Sequence, residues 1–329
     1  MEGSSRERNK AAGLWEEKML PGKGCLREGF WVKIWGSRGS CPSPFGDRMA
    51  YGGNTSCVSV LWENGMAVFD GGTGLLALGQ WLEEGCRLGK IDPGLEIHLF
   101  IGHLHLDHIL GLVLFSRMFK KEASIHLYGP GGEGKSFRKR LAAVLSPPYW
   151  PVAVDKLPAS ITWHDVDKEG EWNLPGQVKV RAMESDHPDG CFLYRLDRGG
   201  QSVVYGMDCE LREEGKKAVE MEAGKKEEKG KGGGIKARYK AFAKDCSLLL
   251  FDAPYTGKEY PLYRGFGHSF WEMGLELAGE CGAGDVWICH HNWERTDGEL
   301  DRIGHQLYQR AKAMGLSARI AREGDSIIL

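Results

Sequence analysis

The stretch EIHLFIGHLHLDHILG, residues 96–111, carries the most specific pattern in the chain. An apolar run and one glycine lead into three imidazoles and a carboxylate within six residues: His103, His105, Asp107 and His108. In an extended segment, side chains two residues apart project to the same side, so two imidazoles can converge on one ion at roughly 2.0–2.1 Å. The next two groups can reach a second ion about 3.5–4 Å away. The spacing therefore predicts a metal-binding turn at a strand end, rather than a histidine-rich turn without metal or a single structural zinc.

The composition is that of an ordinary soluble domain. The 329 residues are 42% hydrophobic and 27% charged, with a formal net charge of -2. This balance gives no electrostatic reason to expect nucleic acid or a membrane as the default partner. The nine cysteines are widely spaced without a CxxC pair, and no apolar run approaches the ~18 residues that span a bilayer. We therefore expect a reduced, cytoplasmic protein without a membrane segment.

Short apolar runs rich in β-branched residues predict strands throughout the chain. They lie at 31–35, 57–62, 66–70, 96–101, 124–129, 178–184, 191–196, 202–208, 247–253, 285–290 and 325–329. Leucines at 75, 78 and 82 predict one helix, and the apolar stretch 109–119 predicts a second, buried one. Residues 300–314 predict an amphipathic helix near the C-terminus. Many strands follow one another directly, which favours mixed sheets in an α/β protein.

The chain divides by composition into a lead-in, a main domain and an insertion. Residues 1–28 are a polar lead-in, and 29–329 are expected to form one domain. Residues 211–240 hold 16 charged side chains and the run KGKGGG. So polar a segment cannot bury enough apolar surface to order itself, which predicts a mobile charged insertion. A basic loop that grips a substrate is the alternative interpretation.

The HxHxDH motif after a hydrophobic strand resembles the signature of the metallo-β-lactamase-fold hydrolases. Further motifs follow in the order seen in the phosphodiesterase branch, which includes ribonuclease Z and cyclic-nucleotide phosphodiesterases. They are GSRGSCPSP (36–44), YGGNTSCVSV (51–60), FDGGTG (69–74), SDHPDG (185–190), YGMD (205–208), FGHSFWE (266–272) and ICHHNWERTD (288–297). The resemblance covers roughly residues 31–300. It implies a four-layer αββα sandwich of two mixed sheets flanked by helices, with metals at one edge.

The resemblance also implies a set of metal ligands. One ion would be held by His103, His105 and His187, and the other by Asp107, His108 and His290, with Asp208 bridging both. His290 and His291 compete for one position, and His290 matches the family position directly after a strand. Two divalent ions are expected, with zinc first and manganese or iron as alternatives, because imidazole and carboxylate ligands suit all three.

Other motif residues receive supporting roles from the same resemblance. Asp70 would brace the ligand loop by hydrogen bonds, and His268 would donate a proton to the leaving oxygen or steady the phosphoryl oxygens. Early glycine-rich loops would lie near the metal mouth, where phosphate or base contact and simple turn chemistry are equal explanations. Their polar residues are Arg38, Asn54, Thr55 and Ser56. Ribonuclease Z has threonine where this chain has Phe270, which favours the phosphodiesterase assignment.

We therefore expect a dinuclear metal-dependent phosphodiesterase that cleaves a cyclic nucleotide or related small diester with activated water. Asp107 and His268 are its expected catalytic residues. The first alternative is an endoribonuclease that processes tRNA 3′ ends, with RNA as the partner. A hydrolase of β-lactams or thioesters and a metal-binding protein without catalysis are the others. A homodimer is expected by resemblance alone.

Overall fold

The computed structural model describes Leu26 and residues 29–132, 134–212 and 234–329. Its centre is two sheets of seven strands each within these ranges. The strand order of the first sheet is β14 (Ser326–Ile328), β1 (Trp31–Gly36), β2 (Cys57–Trp62), β3 (Gly65–Phe69), β4 (Ile97–Phe100), β5 (Ser124–Gly129) and β6 (Ser160–Asp165). The strand order of the second sheet is β13 (Ser317–Ile320), β12 (Asp285–Cys289), β11 (Leu248–Asp252), β10 (Gln201–Gly206), β9 (Phe192–Arg198), β8 (Val178–Glu184) and β7 (Gly170–Leu174).

Both sheets are mixed, as the run of adjacent strands predicted. In the first sheet, β14, β1, β2 and β3 pair antiparallel, and β3, β4, β5 and β6 pair parallel. The second sheet repeats this plan, with β7 to β10 antiparallel and β10 to β13 parallel. Parallel neighbours end at the same edge of a sheet, so loops after β3, β4, β10, β11 and β12 can meet there.

The sheets pack face to face because the central strands are apolar on both sides. Val58 and Val60 of β2 join the layer between the sheets, together with Tyr205 and Leu250 of the second sheet. Leu61 of the same strand joins the outer layer instead. Strands buried on both faces read as continuous apolar runs, which is the pattern the sequence shows.

Helices cover the outer face of each sheet. The helices are α1 (Gly74–Arg87), α2 (Leu106–Ile109), α3 (Phe137–Val144), α4 (Ile235–Phe242), α5 (Trp271–Cys281) and α6 (Asp297–Met314). The predicted helix near the C-terminus is confirmed as α6, and it begins with a capping box between Thr296 and Glu299. Helices, two sheets and helices form the predicted αββα sandwich, which is confirmed.

The prediction of a buried helix over 109–119 was wrong. The chain forms the short α2 and then two 3-10 turns, Leu110–Leu114 and Ser116–Phe119. The Gly111 amide donates to Gly71 O at 2.8 Å, so it is not available for a bond four residues back. Three large apolar side chains in this stretch are exposed rather than buried: Leu110, Leu114 and Phe119.

Three strands lacked a recognisable sequence signal: β6, β7 and β13. Each lies at the edge of its sheet and alternates polar with apolar residues, as in SITWHD of β6. The predicted lead-in at 1–28, apart from Leu26, and most of the predicted insertion lie outside the described residues. The end of that insertion is helical in α4, where Tyr239 is buried. Among the helices described, none is long and apolar enough to cross a membrane.

Leu250 tests the packing between the sheets because its side chain is fully buried there. Leu250→Ala should lower the free energy of unfolding by about 2–5 kcal/mol, through lost apolar contact and the cavity left behind. Urea unfolding monitored by circular dichroism measures this. Leu262→Ala is the control, since Leu262 is 80% exposed and should change stability by less than about 0.5 kcal/mol. Equal destabilisation by both substitutions would contradict the assignment of the core.

Candidate metal centre

The predicted metal ligands meet at the edge where the parallel strands end. The loops after β4, β10 and β12 and the turn between β8 and β9 each contribute side chains to one cluster. Two groups of donor atoms lie within 4.8 Å of one another: His103, His105, His187 and Asp208 in one, and Asp107, His108 and His290 in the other. Residues separated by up to 187 positions are brought together by sheet topology alone.

The carboxylate of Asp208 lies between these two groups. Its Oδ2 faces His103 Nε2 at 3.4 Å and His187 Nε2 at 3.7 Å. Its Oδ1 faces His108 Nε2 at 3.3 Å and His290 Nε2 at 3.2 Å. One oxygen therefore turns to each group, which is the arrangement a bridging carboxylate requires.

Asp107 completes the second group. Its Oδ2 lies 3.2 Å from His108 Nε2 and 3.3 Å from His290 Nε2, and it accepts the Ser40 amide at 2.7 Å. Gly39 makes this approach possible, because a Cβ there would come within 2.2 Å of the His290 ring. The loop after β1 thus closes one side of the cluster with backbone rather than side chains.

Most of the cluster is buried but not satisfied by hydrogen bonds. His103, His108, Asp208 and His290 are each at most 1% exposed. Among the described residues, no hydrogen-bond partner is found for His108 Nε2, Asp208 Oδ1 or either ring nitrogen of His103 and His290. Buried polar atoms are almost always hydrogen-bonded. Because several unpaired nitrogen and oxygen atoms meet at one point here, they indicate a missing partner. Imidazole nitrogens and carboxylate oxygens are donors that suit a divalent cation, and the residues present fit such a group.

His105 differs from the other members. Its ring packs edge-on against His103, with centroids 4.2 Å apart, but it is exposed and its Nε2 lies 3.0 Å from Asp189 Oδ2. It lies on the solvent side of the cluster. Solvent can therefore approach the first donor group from this side.

The electrostatics of the cluster separate two kinds of imidazole. Burial lowers the pKa of His103 far below its usual value and the pKa of His187 to about 4, which favours the neutral, metal-ligating form. At His108 burial also acts to lower the pKa, but Asp208 and Asp107 outweigh it and raise the pKa well above normal. Burial would raise the pKa of Asp208, yet His108 and His290 hold it well below its usual range.

Three residues whose side chains lie in or beside the cluster adopt a left-handed backbone conformation. Asp70, Asp208 and His290 have φ of 58°, 55° and 58°. This conformation costs an L residue roughly 1–2 kcal/mol, and such strain concentrates at functional sites. Asp70 and His290 directly follow strands β3 and β12, so the strained turn aims each side chain across the sheet edge.

Asp70 contacts His108, Tyr205 and the turn after β4, and the bracing role that the resemblance implied stays a prediction. Its Oδ2 lies 2.6 Å from His108 Nδ1 and accepts the Tyr205 hydroxyl at 2.7 Å, while its Oδ1 accepts the Gly102 amide at 2.8 Å. The contact to Nδ1 leaves His108 Nε2 directed at the cluster. Such outer contacts fix the ring orientation and tautomer of ligating histidines.

His268 lies beside the cluster, 4.9 Å between ring centroids from His290. Its Nδ1 is 3.0 Å from Asp252 Oδ2, and the other oxygen of Asp252 lies 3.2 Å from His290 Nδ1. Sequence reasoning missed Asp252, although it ends an apolar strand just as Asp208 follows one. It also missed Glu210, a fully buried carboxylate that accepts the Tyr260 hydroxyl at 2.6 Å and the Gly265 amide at 3.0 Å, which holds the loop before His268.

The polar residues of the early loops make hydrogen bonds within the chain. Arg38 is fully buried and donates to four backbone oxygens, those of Arg48, Gly52, Asn292 and Arg295. Thr55 and Ser56 are buried as well, and the Asn54 side chain donates to Glu323. These bonds tie the loops before β2 to the loop after β12. The structure does not bring the four side chains into the cluster, and substrate contact by them stays a prediction.

Of the two neighbouring histidines, only the first is near the other donor atoms in the described structure. The His290 ring lies in the cluster, whereas His291 Nε2 lies 2.7 Å from Ala321 O, outside it.

A cavity of about 420 Å³ opens beside the first donor group. It is lined by His103, Leu104, His105, Pro130, Arg140, Pro188, Asp189 and Gly190.

Comparison with known proteins finds distant sequence relatives. No protein-family model matches the chain. Ribonuclease Z of Bacillus subtilis is 24% identical over 228 residues, 61% of this chain and 71% of that protein. Ribonuclease Z of Ligilactobacillus salivarius is 25% identical over 283 residues, covering 75% and 82%.

Solved structures agree on the fold. Human tRNase Z, short form, superposes with a TM-score of 0.61 at 18% identity, over 91% of this chain and 99% of that one. A diphosphatase of the PhnP family gives 0.59 at 16% identity, over 91% and 96%. A metallo-β-lactamase-fold protein of Bacillus subtilis gives 0.60 at 15% identity, over 91% and 99%. The chain has the metallo-β-lactamase fold. The motif order predicted this fold, which is confirmed.

Asp70→Asn tests the brace under His108. The amide keeps the shape but loses the charged acceptor for His108 Nδ1, so metal affinity should fall about 10–100-fold. Competition with a chromophoric chelator measures the affinity. Asp92→Asn, an exposed aspartate in the loop between α1 and β4, is the control and should bind metal like the parent. Unchanged affinity in Asp70→Asn would contradict the bracing role.

Proposed function

We propose that this protein hydrolyses a phosphodiester, using two divalent cations, zinc first, held by the seven clustered side chains. The ligands would be His103, His105 and His187 for one ion, Asp107, His108 and His290 for the other, and Asp208 for both. The observation that carries the proposal is the placement of Asp208, whose two oxygens face two separate groups of orphaned imidazoles. The likeness to ribonuclease Z sequences supports the phosphodiester as the bond that is cleaved.

When bound, such cations supply an activated water and neutralise charge on phosphoryl oxygens. The chain supplies position. Asp107 keeps its oxygen directed at the second group through the Ser40 amide. Asp252 accepts from His268 Nδ1, and protonated His268 would donate its Nε2 proton to the departing oxygen. Burial acts to lower the pKa of His268, but Asp252 and Asp208 raise it above its usual value, which favours that protonated form.

Asp208→Ala should remove metal and activity together, because both donor groups lose their shared oxygen pair. Metal content by mass spectrometry should fall relative to the parent, and turnover of bis(p-nitrophenyl) phosphate should be lost. The circular dichroism spectrum should persist. Asp155→Ala, an exposed carboxylate, is the matched control. Full turnover by Asp208→Ala would contradict the assignment.

His268→Ala should show a dependence on the leaving group. Loss of a proton donor typically slows a reaction about 10²–10⁴-fold when the leaving alkoxide needs protonation. A p-nitrophenolate departs without that help, so its release should slow far less. The ratio of kcat values for a ribonucleoside cyclic phosphate and a p-nitrophenyl diester measures the effect. Equal loss on both substrates would assign His268 a structural role only.

A small diester is the substrate class that we favour. The cavity beside His103 and His105, about 420 Å³, lies within the range of small-ligand sites, and Arg140 lines it. The similarity to a diphosphatase fold is consistent with a small phosphate compound. A tRNA 3′-end endonuclease is the second candidate, and the similarity to ribonuclease Z sequences favours it.

Residues 213–233 offer a test between these substrates. They belong to the charged insertion, whose alternative interpretation is a basic loop that grips a substrate. Replacement by a glycine–serine linker of equal length should leave turnover of small diesters unchanged, and neither protein should process precursor tRNA. Paired assays with a cyclic nucleotide, a linear diester and a precursor tRNA measure this. If the parent cleaves the tRNA and the linker variant loses that activity alone, the second candidate is correct.

A further inference from the structure

A second imidazole cluster lies away from the proposed catalytic site, at the beginning of β4. His98 of β4 pairs in register with His126 of β5, and their rings stack with centroids 4.8 Å apart. Glu96 immediately precedes β4. Five residues separate His98 from His103, so the two clusters are up to about 16 Å apart along the strand direction.

Three side chains of this cluster direct their donor atoms to one point. Glu96 Oε1 lies 3.1 Å from His98 Nε2 and 3.1 Å from His126 Nε2. Donor atoms of all three residues lie within 4.8 Å of one another. This is a donor set of two imidazoles and one carboxylate, which suits zinc and its neighbours in the first transition series.

The opposite nitrogens of both rings are held by other groups. His98 Nδ1 lies 3.2 Å from the Tyr128 hydroxyl, and His126 Nδ1 lies 2.9 Å from His164 Nε2. When each Nδ1 donates in these contacts, each Nε2 keeps a free lone pair for a cation, as in the outer contacts of metal sites. Both Nε2 atoms then face the same carboxylate.

A second observation points to a ligand at this place. His98 is 2% exposed, and its Nε2 has no hydrogen-bond partner of acceptable geometry in the described chain. The other two donors are reachable, since the side chains of Glu96 and His126 are 34% and 24% exposed. An ion could enter from solvent and complete its coordination with water.

We propose that Glu96, His98 and His126 form a separate binding site for one divalent transition-metal ion, such as zinc. This ion would cross-link the start of β4 to β5. Because β4 leads directly into the turn that carries His103, the ion would stabilise the strand on which the catalytic ligands depend. The proposal concerns metal content and does not depend on the reaction catalysed at the other site.

Metal content of the full chain tests the proposal. After dialysis against zinc and removal of free ion, Glu96→Gln and His126→Gln should each hold one equivalent less than the parent. Both should keep the parent's turnover of bis(p-nitrophenyl) phosphate, because neither residue belongs to the catalytic cluster. His305→Gln, an exposed histidine on α6, is the matched control and should keep the parent's metal content.

Thermal unfolding gives a second readout that separates loss of metal from loss of fold. Added zinc should raise the Tm of the Asp208→Ala protein, and adding Glu96→Gln to that protein should reduce this rise. Metal content in Glu96→Gln and His126→Gln equal to the parent would overturn the proposal. An equal loss in His305→Gln would also overturn it, since the missing ion would then be a surface ion. A parent protein that loses one zinc ion in Glu96→Gln and His126→Gln, but itself does not turn over bis(p-nitrophenyl) phosphate, would count against the proposed function alone.

Discussion

The structure depends on one buried charge, the carboxylate of Asp208. It is 1% exposed and faces four imidazoles through its two oxygens. A buried carboxylate costs several kcal/mol unless partners compensate it, and orphaned ring nitrogens beside it add to that cost. Divalent cations bound at this point would remove both costs together. The strained backbone at Asp208 and His290 is then understood as the conformation that holds the donors in place.

The scaffold delivers these donors by strand direction. Parallel strands in both sheets end at one edge, so short loops from distant parts of the sequence converge there. A second layer of carboxylates supports the histidines: Asp70 holds His108, and Asp252 lies between His268 and His290. Glu210 and Arg38 fix the surrounding loops through backbone contacts. The ligand positions are therefore set by buried polar contacts as much as by the apolar core.

Sequence patterns were most informative where a local spacing of residues also had a chemical explanation. HLHLDH predicted a metal-binding turn because its imidazoles and carboxylate are donors that suit a divalent cation. Strands that are apolar on both faces were predicted from their continuous apolar runs. The helix predicted over 109–119 was wrong because apolar composition does not show that the Gly111 amide bonds to Gly71 O. The edge strands β6, β7 and β13 are too polar to stand out. Asp252 and Glu210 have roles that only tertiary contacts reveal, and the histidine cluster on β4 and β5 depends on strand register.

Anomalous diffraction from crystals of the metal-loaded protein, recorded on both sides of the zinc absorption edge, tests the central claim most directly. Two peaks are expected to flank the Asp208 carboxylate, one beside each oxygen. The first should be surrounded by His103, His105 and His187, and the second by Asp107, His108 and His290. A cluster without a zinc peak, or side chains of these residues that point away from Asp208 in that crystal, would contradict metal binding at Asp208.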